Sequence, residues 1–151
     1  MDKGELISIA KDVLADSKAA ILTTVGKDGV PAMRWMSPIF LRNFEDSIYA
    51  VTSVVFNKTS DLKLNNKVQW MIQSKNLNRI INFNGEVSLV EDVALRSEVI
   101  EKLGTKLHVF WTINKDPSNL IVLETRISTG VIFLPIKGRK EIVSFSGEAL
   151  R

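Results

Sequence analysis

The tetrapeptide Gly26-Lys27-Asp28-Gly29 stands between two apolar runs, and it constrains the fold more than any other feature of the chain. Asp-Gly supplies the positive φ angles that a tight turn between strands needs. The flanking runs, Ala19 to Val25 and Val30 to Leu41, therefore read as an antiparallel hairpin. The same grammar recurs along the chain. Asn43-Phe44-Glu45-Asp46 turns into a strand over Ser47 to Ser53, and Val68 to Gln73 reads as a fourth strand. Ile81, Phe83, Val87 and Leu89 alternate with Asn82, Asn84, Ser88 and Val90 in a fifth, which contains Gly85. Leu120 to Ile127 and Gly130 to Leu134 are late strands. Strands joined by short turns favour an antiparallel sheet, and about six or seven of them favour closure into a barrel.

Helical spacing marks the exceptions. Leu6, Ala10, Val13 and Leu14 predict an amphipathic helix over residues 3–17. Leu95, Val99 and Leu103 predict a second, closed by Gly104. Asn57-Lys58-Thr59-Ser60-Asp61-Leu62 places polar cap residues before an apolar position, the start signal of a short helix. His108 to Asn114 fits neither period. Lys137 to Arg151 is polar and reads as an arm, with strand character at Ile142 to Phe145. The expected fold class is mainly β with flanking helices, in a single domain over residues 1–151.

Composition removes whole classes of chemistry. Without cysteine there can be no disulfide, iron–sulfur cluster or thiolate nucleophile. A lone histidine, His108, leaves no zinc site and no ordinary hydrolytic triad. Gly26-x-x-Gly29 is too short to be a phosphate-binding loop. Demanding chemistry would have to come from a bound cofactor. The net charge of +3 suits either a solvated surface or attraction for an anion. Lys and Arg are dispersed along the chain, which argues against a nucleic-acid stripe. The N-terminus is charged and no 18-residue apolar run follows, so the expectation is a cytoplasmic protein that does not enter a membrane.

Within the second apolar run, Val30, Ala32, Arg34, Met36, Pro38 and Phe40 share a face by alternation. Arg34 is the only charge on it. A buried guanidinium needs an anionic partner, either an internal one such as Glu86 or a bound anion that its planar fork would grip. Further along, Val51-Thr52-Ser53 ends a strand and Asn57-Lys58-Thr59 begins a helix. Hydroxyls and a lysine at a helix N-terminus can hold a phosphate, and they can equally be an ordinary cap with a solvated lysine.

Several segments together resemble a known family. These are Ala20-Ile-Leu-Thr-Thr-Val, Gly29-Val-Pro, Arg34-Trp-Met-Ser-Pro, Tyr49-Ala-Val-Thr-Ser with Lys58, Leu64-Asn-Asn-Lys-Val, Gly85-Glu-Val-Ser-Leu-Val-Glu-Asp and Asp116-Pro-Ser-Asn-Leu-Ile-Val-Leu. In order and spacing they resemble the pyridoxamine-phosphate-oxidase-like split β-barrels, in particular the general stress protein branch. The resemblance implies a homodimer with FMN at its interface. It implies that Arg34 and Lys58 contact the FMN phosphate, that Trp35, Met36 and Ser37 run along the flavin, and that Thr52, Ser53 and Asn57 belong to the same site. It brings Trp111 near the ring, a position that also suits barrel core or subunit interface. The chain departs from true pyridoxamine-phosphate oxidases where Ile39 replaces a substrate-gripping lysine, Asn57 an arginine and Ile80 a glutamine. Vitamin B6 oxidation is therefore not expected. What the resemblance leaves open is an FMN oxidoreductase, a non-enzymatic FMN or stress-related carrier, or the same fold holding deazaflavin F420 or haem.

Overall fold

The computed structural model describes residues 1–53, 65–104 and 120–145. The chain opens with α1 (Lys3–Ser17), whose first turn is capped by the Asp2 carboxylate accepting from the Glu5 N–H at 2.8 Å. Leu6, Ile7, Ala10, Val13 and Leu14 form its buried stripe. The predicted hairpin follows as β1 (Ala20–Val25) and β2 (Pro31–Met36), paired antiparallel, with Gly29 at φ +80° in the turn. Then come β3 (Ile39–Leu41), β4 (Phe44–Ser53), β5 (Lys67–Gln73), β6 (Ile80–Leu89), α2 (Val93–Leu103), β7 (Leu120–Leu134), a single 3-10 turn (Pro135–Lys137) and β8 (Arg139–Ser144).

The described strands form one antiparallel sheet in the order β2, β1, β5, β6, β7, β4, β3, with β8 pairing on β7. The two ends of that order, β2 and β3, are joined only by Ser37 and Pro38. Three Cα–Cα steps reach at most about 11 Å, so the sheet has to curl until its ends nearly meet. This is the split β-barrel architecture, and Ser37-Pro38 is its seam. The fold class is as the sequence leads one to expect, with three corrections to its strands.

The second apolar run is two strands and not one. Pro38 has no N–H to give a ladder and disfavours continued pairing at Ser37, so the strand breaks there and its second half joins the opposite end of the sheet. The two late strands are one 15-residue strand, β7. Gly130 lies inside it because the chain packs close: a Cβ there would sit 2.5 Å from Leu6 Cδ2 and 3.0 Å from the Phe83 ring. The strand expected at Ile142 to Phe145 is present as β8, over Arg139–Ser144, so this part of the polar C-terminal stretch is built into the sheet and is not an arm. The expected short helix at 57–62 and the ambiguous stretch 108–114 lie outside the described residues.

Two apolar clusters fill the structure. One lies inside the curl and combines the α1 stripe with Leu22, Trp70, Ile81, Phe83 and Ile132 among others. The other lies on the outer side of the sheet, where Val99 and Leu103 of α2 pack on Ile39, Leu41, Tyr49, Val51, Leu120 and Val122. A bulge in β7, opposite Asn84 and Gly85, reverses its alternation, so Ile127 faces inward and Thr129 outward. Gly85 makes room for it, since a Cβ there would meet the Arg126 carbonyl oxygen at 2.3 Å.

Candidate functional site

The register of the sheet assembles rows of side chains that no stretch of sequence displays. On the inner side, Arg34, Leu22, Trp70, Phe83, Gly130 and Val143 follow one another across six strands. All but Arg34 are buried, and Arg34 closes the row half-buried at the edge strand β2. Its Nη2 donates to Thr24 Oγ1 at 2.7 Å, and Thr24 is buried in β1. The alternative partner Glu86 is not used: it is exposed on β6, opposite Lys67 and Arg126. Met1 pairs with Glu141 and Lys3 with Asp46 at the surface.

The outer side reads differently. Trp35, Ile21, Met71, Asn82, Val131 and Ile142 form one row, and Met33, Thr23, Gln69, Asn84, Thr129 and Ser144 form the next. Neither row carries a charge, in a chain in which 25% of residues are charged. Met33 is 74% exposed, Trp35 66% and Ile142 52%. The second row is linked by hydrogen bonds: Gln69 Nε2 donates to Asn84 Oδ1 at 3.0 Å, and Asn84 Nδ2 donates to Thr129 Oγ1 at 3.1 Å. Exposed aromatic and thioether side chains beside a row of amides and hydroxyls suit a flat, partly polar ligand or a protein surface.

The residues singled out in the sequence fall into three groups. Arg34 and Met36 point inward from β2 while Trp35 points outward, so the ring and the guanidinium lie on opposite faces of one strand. Thr52 is buried and shares a face with Ile48 and Ala50, which pack in the same cluster as Met36. Ile39 pairs antiparallel with Tyr49. Stepping back from Ile39 to Ser37 and Met36, and forward from Tyr49 to Thr52 and Ser53, therefore leads toward the same end of the seam. Asn57, Lys58 and Trp111 lie outside the described residues. Thr24, Gln69, Asn82 and Asn84 were not singled out. Thr24 could have been, since the hairpin turn fixes Thr24 opposite Ala32, close to Arg34.

A second polar cluster lies on the outer side under α2. Ser47 and Tyr49 both donate to Glu124 Oε2, at 2.7 Å and 3.1 Å. Burial of the Tyr49 hydroxyl, followed by the charge of Glu124 and their hydrogen bond, pushes its pKa up to about 12. An open hollow of about 370 Å³ beside it is lined by Arg42, Asp46, Glu124 and Arg126. Opposite charges alternate there, so it offers no grip for a ligand of one sign. A larger hollow of about 730 Å³ at the β7 bulge is likewise mixed, with Lys67 and Arg126 facing Asp46 and Glu86. Among the described residues no cluster of metal ligands occurs, and no helix is long and apolar enough to cross a membrane.

The family model described as pyridoxamine 5'-phosphate oxidase matches residues 9–147. Among solved structures, the chain is similar to a Clostridium acetobutylicum protein related to general stress protein 26 of B. subtilis (TM-score 0.76, 14% identity, covering 97% of this chain and 98% of that one). It is also similar to an FAD-binding protein of Mesorhizobium loti (TM-score 0.67, 14% identity, covering 83% and 91%). A haem-binding protein of Mycobacterium smegmatis gives a TM-score of 0.71 at 14% identity, covering 91% of this chain and 57% of that one. No curated protein matches the chain.

Proposed function

The chain belongs to the pyridoxamine 5'-phosphate oxidase family, and from that premise we propose that it is a flavoprotein holding FMN non-covalently at the barrel seam, between two copies of itself. The observation that carries this reading is the make-up of β2. It presents a half-buried guanidinium on one face and an exposed indole on the other, next to an outer face without charge. In this reading Arg34 takes the phosphate together with Lys58 and Asn57. Trp35, Met36 and Ser37 run along the ring system, Thr52 and Ser53 add hydroxyls, and Trp111 adds an aromatic wall. The donors and surfaces present fit such a ligand: cations for phosphate, hydroxyls and amides for the polar edge, apolar area for the rings.

Bound FMN supplies hydride transfer, and the reaction class is oxidation or reduction of a small organic substrate. The chain's own residues bind and orient the cofactor and keep water from it. The substrate is not a phosphorylated B6 vitamer. Ile39 is 7% exposed and packs in the apolar cluster under α2, so no cation is available there to clamp a second phosphate. The likeness to an FAD-binding protein supports a flavin.

A second reading is haem, favoured by the likeness to a haem-binding protein. One experiment separates the two: an absorption spectrum of the purified protein, repeated with FMN and with haem added. Flavin bands, and quenching of flavin fluorescence on titration, are the expected result. A Soret band without flavin binding would replace FMN by haem. Binding of neither would overturn the cofactor reading altogether.

A further inference from the structure

Lys and Arg are dispersed along the sequence, but register gathers several of them at one end of the sheet. Gln73 pairs with Ile80, Ile80 with Phe133 and Phe133 with Lys140, so one row ends β5, β6, β7 and β8 together. Beyond that row the chain makes two neighbouring turns, residues 74–79 and 134–139. Strands lie about 4.8 Å apart, so the midlines of the two hairpins are about 10 Å apart. Each turn holds an aliphatic side chain in water: Leu77 is 50% exposed and Ile136 85%. Leu77 does so at φ +60°, a conformation that suits glycine or asparagine better than leucine. Lys75 and Arg79 flank Leu77, Lys137, Arg139 and Lys140 follow Ile136, and neither turn contains a carboxylate. Exposed Lys18 stands at the same end, since Asp16 near it accepts from the Lys75 N–H at 2.9 Å. The next acid along the chain, Glu141, is bonded to the Met1 amine at 2.7 Å.

We propose that this end of the barrel is an adsorption surface for an anionic lipid bilayer, with Leu77 and Ile136 entering among the headgroups and the cations set against their phosphates. Charge complementarity calls for an anionic partner. The aliphatic tips choose among such partners. A nucleic acid meets the cations but offers nothing to a leucine and an isoleucine. A protein would need two hollows at the right spacing, whereas a fluid interface admits single apolar side chains wherever they arrive. The protein lies on the bilayer and does not cross it. The surface is built from turns past the strand ends, so the inference depends on neither the flavin nor the dimer proposed above.

The test is flotation of the full chain with vesicles of phosphatidylcholine, alone or mixed with phosphatidylglycerol. Binding to the mixed vesicles only, released by salt, is the expected result. Ile136→Ser and Leu77→Ser should each weaken it about tenfold. Lys137→Gln combined with Arg139→Gln should weaken it about thirtyfold. Val30→Ser, at an exposed site in the hairpin at the other end of β1, should bind like the wild type. No flotation with the mixed vesicles, or equal flotation with both kinds, would overturn the proposal. So would full binding by both serine variants beside a loss in the charge variant, because the cations would then be acting alone and a nucleic acid would fit as well. A loss in Val30→Ser equal to that in Ile136→Ser would reveal unspecific apolar adsorption and overturn it too. The chain has no cysteine, so Ile136→Cys gives a single labelling site and a readout that does not rely on the serine variants folding. A polarity-sensitive fluorophore there should shift to the blue on the mixed vesicles. Emission unchanged from that in water would refute insertion.

Discussion

Over β3, β4 and the first half of β7, α2 packs on the outer side of the sheet; over β2, β1, β5, β6 and the second half of β7 that side is bare of any described helix. The covered end hides Tyr49, Val51, Leu120 and Val122, and its buried hydroxyls are bonded to Glu124. The bare end leaves Met33, Trp35 and Ile142 exposed, and one carbonyl oxygen, Asn82 Oδ1, is buried without a donor. One sheet side, made by one chain, is finished at one end and unfinished at the other. Apolar residues at the covered end serve the fold. Those at the bare end stay exposed in the single chain.

The largest expected effect separates these two roles directly. Leu103 is buried under α2. Leu103→Ala should lower the free energy of unfolding by about 2–5 kcal/mol, with no change in how stability depends on protein concentration. Trp35→Ala should behave in the reverse way. The chain's intrinsic stability should change by no more than about 0.5 kcal/mol, while the concentration dependence of the wild-type midpoint disappears because association is lost. Urea melts of the three proteins at two concentrations a hundredfold apart decide it. A Trp35→Ala protein as unstable as Leu103→Ala, at both concentrations, would mean that the bare face is ordinary core surface and that the contrast is false.

A second test concerns the inner side of β2, behind the exposed Trp35. Arg34→Ala removes the guanidinium from the inner edge of β2, and should weaken FMN binding by about 2–5 kcal/mol if that group holds a shielded phosphate. Riboflavin has no phosphate, so the same variant should lose little affinity for it. Fluorescence-quenching titrations of both flavins give the comparison. Equal losses would show that Arg34 acts through its bond to Thr24 and the packing of the hairpin.

Much of this architecture was legible in the chain. The α1 stripe, the Gly26 to Gly29 hairpin and the alternation through β6 are local patterns, and local periods survive into the fold. The split of the second strand was legible too, at Ser37-Pro38, but an apolar run outweighed a single proline. Gly130 misled because a glycine inside a strand signals either a break or a close contact, and the contact with Leu6 and Phe83 is tertiary. The site was legible only in part. Arg34 stood out as a charge among apolar residues. The uncharged rows did not, since their members come from six strands spread over residues 21–144 and are aligned by register alone. Asn82 looked like one more polar position in an alternating strand.

The smallest effect probes the covered end. Tyr49 is the only tyrosine in the chain, so the near-ultraviolet rise of tyrosinate reports this group alone. Burial raises its pKa first, and the Glu124 charge and hydrogen bond add to it, to about 12 in the fold against 10.0 for a free side chain. Below pH 10 the hydroxyl keeps its proton whether the chain is folded or not, so its contribution to stability is complete there. As pH rises from 10 towards 12 the unfolded chain loses the proton and the folded one keeps it. Stability then falls, by at most about 1.4 kcal/mol per pH unit from this group, and the contribution is gone above the folded value. Tyr49→Phe should lose about 1 kcal/mol at neutral pH for its hydrogen bond to Glu124. It should then show a shallower decline between pH 10 and 12 than the wild type. Every other group is common to both proteins and cancels in the difference. A spectroscopic midpoint near 10 in the folded protein would mean that water reaches the hydroxyl. The covered end would then be no better sealed than the bare one.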